Sequence, residues 1–170
     1  KGARSLGLHY PGGPELENLA KYGDENAFGF HSAFNEGEGF DMSFSGMKTG
    51  LINHLHRGDQ RGEELNKKDL AASYQRAIVS VSTEKAIRAC EAYGYETLAL
   101  AGGVAAHQTL RTTMARRAEE KGLRFGCPPL ALCTDNAAMI GSAAYYRLMR
   151  GEIADLTLNA VPGAKLQMEG

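Results

Sequence analysis

The sequence predicts an α/β fold rich in helix, and three observations carry that prediction. Thr97-Leu98-Ala99-Leu100-Ala101 is an apolar run of strand length that ends at Gly102-Gly103, where a helix of small residues begins at once. A second run of strand character, 123–127, follows that helix after the stop residue Gly122. Between Asn66 and Tyr93 lies a long helical pattern with two apolar stripes, one of Leu70, Tyr74, Ala77, Ile78 and Val81, the other of Val79, Ala86, Cys90 and Tyr93. Two stripes predict a helix buried on both sides.

The other elements follow in order. Pro11-Gly12-Gly13-Pro14 is a turn signal, and Pro14 suits the first position of a short helix carrying Leu16, Leu19 and Ala20. Residues 22–38 are polar and read mostly as loop. Residues 40–44 alternate with period two and predict a short strand, after which Gly46 leads into a helix through Met47, Leu51, Ile52 and Leu55. Residues 57–64 are charged and read as loop, and Asn66 with Asp69 forms a capping pair for the long helix that Gly94 ends. The helix after the glycines spans 104–121, and the last helix spans 135–150, closed by Gly151. The tail 156–162 alternates and is expected to lie extended against the body.

With 170 residues, 43% of them hydrophobic, the chain has room for a real core in one domain or two small lobes. No apolar run approaches the roughly 18 residues of a membrane-spanning helix, and no signal-peptide pattern opens the chain. A net charge of −1 does not announce a nucleic-acid binder. Cys90, Cys127 and Cys133 contain no C-x-x-C pair, so reduced thiols in a cytoplasmic setting are expected. Lys1-Gly2-Ala3-Arg4 carries no initiator Met, and the chain reads as a piece of a longer one.

Chemistry concentrates in two blocks. At Gly102-Gly103 the missing Cβ atoms let a flat or anionic group approach the backbone, and the following helix presents unpaired N–H groups with a partial positive charge. His107, about one turn into that helix, is placed to point the same way as the glycines. The turn is neither a Walker loop nor G-x-G-x-x-G. In Cys133-Thr134-Asp135-Asn136-Ala137-Ala138-Met139, Asp135 stands at a helix mouth, where the residues by themselves favour an N-cap over one ligand of a cation completed from elsewhere. His9, His31, His54, His56 and His107 include no i, i+4 pair, and His54 and His56 are expected to be solvated. The basic run Arg111, Arg116, Arg117, Lys121 and Arg124 fits either a helix C-terminus or a phosphate backbone. Ser43, Ser45 and Lys48 lack a base assembly or oxyanion motif nearby and read as packing.

Leu8-His9-Tyr10-Pro11-Gly12-Gly13-Pro14, Asp41-Met42-Ser43-Phe44-Ser45-Gly46-Met47-Lys48-Thr49, Asp69-Leu70-Ala71-Ala72-Ser73-Tyr74-Gln75, Ala101-Gly102-Gly103-Val104-Ala105-Ala106, Pro128-Pro129-Leu130 with the Asp135 block, and Leu158-Asn159-Ala160-Val161-Pro162 fall in one order and spacing. In that order they resemble the TsaD family of tRNA threonylcarbamoyladenosine transferases, formerly called O-sialoglycoprotein endopeptidase or Gcp.

The resemblance implies the C-terminal lobe of an actin-like, Hsp70-like ATPase fold with ribonuclease-H-like lobes, residues 1–170 forming part of that lobe without its first strands. It implies transfer of threonylcarbamoyl from its adenylate to the adenosine beside the anticodon of tRNAs reading ANN codons. It further implies an adenine nucleotide (threonylcarbamoyl-AMP or ATP), one divalent metal, Fe(2+) ahead of Zn(2+), and TsaB-like and TsaE-like partner proteins besides tRNA. By the same resemblance Gly13, Glu17, Gly102 and Gly103 bind nucleotide and Asp135 is the third metal ligand. The family's H-x-x-x-H metal pair, its nucleotide-binding Asp and its Ser-Gly-Gly loop would lie upstream of Lys1. His107 stands where the family usually has Asn. An isolated fragment of this kind is expected to be inactive, and to self-associate through the exposed edge of its incomplete sheet. Two other readings remain: a non-catalytic nucleotide-binding lobe serving assembly, and the older metalloprotease assignment, which lacks the H-E-x-x-H glutamate in these residues.

Overall fold

A computed structural model describes residues 2–31, 37 and 39–163, which divide into two compact units, Lys1–Thr134 and Asp135–Gly170. The expected loop over 22–38 is therefore described only in part.

The first unit is organised by its longest helix. Helices α1 (Gly2–Ser5), α2 (Gly12–Ala20) and α3 (Ser45–Arg61) precede α4 (Lys67–Tyr93). The two predicted stripes of α4 face different partners. Leu70 and Tyr74 are buried with Leu6, Leu16, Ala20, Met47 and Leu51, and Ala77, Ile78 and Val81 pack against the same cluster. Val79 turns the other way, onto Leu110 and Met114, with Ala86, Leu98, Leu100 and Phe125 alongside. Burial on both sides is what lets a helix of low amphipathicity hold its place.

Asn66 caps α4 as expected, accepting from the Lys68 N–H at 3.0 Å. Its presumed capping partner does something else. Asp69 takes the N–H of Asp24 at 2.8 Å, and Ser73 donates to the Asp24 carbonyl and accepts from the Phe28 N–H, each at 3.1 Å. These bonds tie Asp24 and Phe28 to the first turns of α4. Gly23 is required there, since a Cβ would fall 2.1 Å from the Lys68 carbonyl oxygen. His56 is exposed as expected, but His54 is half-buried: Phe28 and Phe30 meet its ring edge-on at 5.3 and 5.2 Å, and its Nε2 lies 3.0 Å from the Gly29 carbonyl.

The strand expected over 40–44 does not form. No second strand pairs with it among the described residues; Lys85 Nζ takes the Asp41 carbonyl at 2.6 Å, and Phe44 already has helical angles as it enters α3. The loop expected over 57–64 begins late, because α3 continues to Arg61. Gly62, at φ +64°, ends it while Glu63 N–H returns to the Gly58 carbonyl. That C-terminal motif is closed by Leu65 lying against Gly58.

Strands β1 (Thr97–Ala99) and β2 (Arg124–Gly126) pair in parallel, with Leu98 opposite Phe125. Helix α5 (Gln108–Glu120) crosses between them and covers that pair with Leu110 and Met114. β1 is shorter than its apolar run. The last ladder bond is Leu100 N–H to the Gly126 carbonyl, and Pro128 and Pro129, just beyond, have no N–H to extend it.

In the second unit, helix α6 (Ala137–Met149) is capped by Asn136 and contains no buried residue. Leu156, Leu158 and Val161 of the tail are exposed, so the expected packing of 156–162 buries none of these side chains.

Candidate nucleotide site

Gly102 sits at φ 86°, ψ 177°, a backbone region open essentially to glycine alone. It launches a single 3-10 turn over Gly103–Ala106, in which Ala105 N–H donates to the Gly102 carbonyl and His107 N–H to that of Val104. The Gly103 and Val104 N–H groups, first in that turn, have no partner among the described residues. Gly103 has no positive φ, and a Cβ placed on it meets nothing within 4 Å. Glycine at 103 thus answers no need of the fold, and its bare face opens outward.

His107 is not one turn into a continuous helix. The chain breaks there (φ −70°, ψ 112°), and His107 is the N-cap of α5, its Nδ1 accepting from the Leu110 N–H at 3.2 Å. Nδ1 is separated from Cα by the same number of bonds as the Oδ1 of an asparagine, so an imidazole performs the capping that asparagine performs elsewhere. That geometry was legible in neither pattern nor propensity.

Glu17 of α2 closes the same helix end. Its Oε1 accepts from the Thr109 N–H at 2.9 Å and from the Thr109 hydroxyl at 3.0 Å, and lies 3.6 Å from His107 Nδ1. Nδ1 accepts from the Leu110 N–H, and Thr109 rather than His107 supplies the hydrogen bonds to the carboxylate. Burial alone raises the Glu17 pKa, but the Thr109 N–H, a charge on His107, the Thr109 hydroxyl and the Gln108 N–H together outweigh it, leaving the carboxyl below its ordinary value. Gln75 of α4 donates to the Thr109 hydroxyl oxygen at 3.3 Å, and its own carbonyl oxygen is buried without a partner among the described residues. Gly13 lies one turn before Glu17 on α2, also open where a Cβ would stand.

Glu17, Gly102, Gly103 and His107, all expected at the site, therefore belong to one unit, and Gly13 shares α2 with Glu17. Thr109 and Gln75 escaped sequence reading. The only signal for Thr109 was a hydroxyl residue in the first turn of a helix, which many helices carry.

Asp135 is not the helix cap. Asn136 takes that role, accepting from the Met139 N–H at 3.0 Å, and leaves Asp135 exposed with no partner among the described residues. A carboxylate freed from capping fits a metal ligand, although no group of three possible ligands occurs among the described residues. Each cation of the basic run has a partner within the chain. Arg116 and Arg117 pair with Glu120, Arg117 also with Glu84, Lys121 with Glu91 and Arg124 with Glu96, while Arg111 binds backbone carbonyls.

A parallel β-α-β unit with an open glycine turn and a carboxylate sealing its crossover helix defines an α/β protein of the class that brings bare backbone to a ligand. A family model described as TsaD, tRNA N6-adenosine threonylcarbamoyltransferase, matches residues 1–142, and the chain belongs to that family. It is 45% identical over 166 residues, 98% of its length, to the tRNA N6-adenosine threonylcarbamoyltransferase of Clostridium botulinum (strain Kyoto / Type A2). It is equally similar, at 45% over 166 residues, to the Clostridium perfringens (strain SM101 / Type A) protein of the same name. The chain spans about half the length of these relatives, 49% of each. No described helix is long and apolar enough to cross a membrane.

Proposed function

We propose that this chain is the C-terminal lobe portion of a cytoplasmic tRNA N6-adenosine threonylcarbamoyltransferase with an actin-like, ribonuclease-H-like ATPase fold, and that its glycine turn receives an adenine nucleotide. The observation that carries this reading is Gly103, open and unneeded by the fold, beside two unpartnered N–H groups. The adenosine of threonylcarbamoyl-AMP or ATP lies against Gly102 and Gly103, with Gly13 leaving room on α2. Glu17 spends Oε1 on Thr109, so Oε2 is the oxygen left to accept a ribose hydroxyl.

In the reaction, the N6 amine of the tRNA adenosine forms a bond to the carbamoyl carbonyl carbon. The bond from that carbon to the adenylate phosphate oxygen breaks, AMP leaves, and the amine proton passes to solvent. A divalent metal, iron ahead of zinc, supplies Lewis acidity and a template when bound, with Asp135 as one of its ligands. This chain's residues hold the nucleotide. TsaB-like and TsaE-like proteins are the proposed partners in addition to tRNA. The exposed side chains of α6, including Ile140, Tyr146 and Met149, support self-association of the chain when isolated.

The test is threonylcarbamoylation of an ANN-reading tRNA by the full native polypeptide that carries these residues, with partner proteins supplied. Transfer lost in Gly103→Val and retained in Arg116→Met supports the reading. A wild-type protein that binds ATP but transfers nothing would favour an assembly lobe instead.

A further inference from the structure

Arg111 stands in the first turn of α5, and its guanidinium bonds to backbone carbonyls and a thiol rather than to a carboxylate. Nη1 donates to the Ala105 carbonyl at 2.8 Å and to Cys133 Sγ at 3.4 Å, and Nη2 donates to the Pro128 carbonyl at 2.8 Å. The buried Cys133 thiol closes the same knot by donating to the Pro129 carbonyl at 3.5 Å. Three segments meet at this one guanidinium: the glycine turn, the first turn of α5, and the stretch that leaves β2.

β2 ends at Gly126, and two consecutive prolines remove the donors that would continue a ladder. Ala105, whose carbonyl takes one of the two 2.8 Å Arg111 bonds, is fully buried, and the exposed Gly103 and Val104 directly precede it. A planar fork of donors bridges two carbonyls and a sulfur at once; an ammonium, a single point with no fixed plane, does not. Both Nη1 hydrogens and one on Nη2 are spent within the chain.

We propose that Arg111 is the positioning residue of the glycine turn, clamping it to the Pro128–Cys133 segment so that the two unpaired N–H groups are presented in one fixed arrangement. The inference rests on the nucleotide reading above. Affinity for nucleotide then depends on the shape of the guanidinium and not only on its charge.

The experiment measures ATP binding by calorimetry, alongside melting temperature, in the full native polypeptide that carries these residues. Arg111→Ala and Arg111→Lys should each weaken ATP by about tenfold or more, while Arg116→Met stays within about twofold of wild type. Added guanidinium ion should restore ATP binding to Arg111→Ala and leave wild type unchanged, a rescue that general destabilisation would not show. If Arg111→Ala fails to fold, Arg111→Lys decides by itself. The proposal is overturned if both variants bind ATP like wild type, or if guanidinium leaves the Arg111→Ala defect untouched. Wild-type protein that binds no ATP overturns the nucleotide reading and this inference together, whereas wild-type binding with unaffected Arg111 variants overturns this inference alone.

Discussion

Glu17 and Thr109, 92 residues apart, are joined through a single oxygen: Oε1 of the glutamate receives both the backbone N–H and the hydroxyl of the threonine. A negative charge is thereby seated on the N-terminus of α5, where the helix dipole favours it, and α2 is tied to the crossover helix of the parallel strands. This one pairing makes the glycine turn and the Gly13–Glu17 face parts of the same surface.

The pairing has a pH signature. The folded-state pKa of Glu17 lies below its unfolded value of 4.5, so its contribution is present above that value and is lost as pH falls through the folded one. Glu17→Gln should be less stable than wild type at neutral pH by about 1 kcal/mol, the charge-assisted part of the two bonds. Melting curves taken from pH 7 to pH 3 should show the gap closing below the unfolded value. A gap that does not change with pH would mean that Glu17 titrates alike in both states.

Capping by His107 is separable from any ligand contact. His107→Ala should cost about 1 kcal/mol, the usual loss of an N-cap, and His107→Asn should recover most of it because Oδ1 takes the place of Nδ1. Chemical denaturation of the three proteins measures this. If asparagine does no better than alanine, Nδ1 is not capping the Leu110 N–H.

The two glycines should fail differently. Gly102→Ala forces a side chain onto a backbone at φ 86° and should cost about 1–3 kcal/mol of stability. Gly103→Val meets no atom of the chain within 4 Å, so its melting temperature should barely move while ATP affinity drops by about tenfold or more. Unchanged ATP affinity by calorimetry would leave Gly103 without a role in binding.

Asp135 and Asn136 offer a paired test of metal binding. Asp135→Ala, in the full native polypeptide, should lose bound iron or zinc with little change in stability, since capping belongs to its neighbour. Asn136→Ala should show the reverse on stability, a loss of about 1 kcal/mol. Metal content by elemental analysis that is equal in wild type and Asp135→Ala removes Asp135 from the ligand set.

Much of the architecture was legible along the chain because its causes are local. Asn66 and Gly94 bound α4 through backbone angles and one side-chain bond; the two stripes on that helix foretold its two packing faces; and Gly102 forecast a turn that only glycine accommodates. The resemblance to the family rested on the same short blocks. Tertiary structure decided whatever depended on a distant partner. Residues 40–44 have the alternation of a strand and, among the described residues, no strand to pair with, and α3 outruns its expected end where Leu65 closes against Gly58. Neither the Glu17–Thr109 pairing nor the three acceptors of Arg111 can be read from spacing, since folding brings together atoms that sequence holds apart. A helix end or a glycine turn is chosen by the torsions of a few adjacent residues; a hydrogen bond across 92 positions exists only once the core has set both backbones in place.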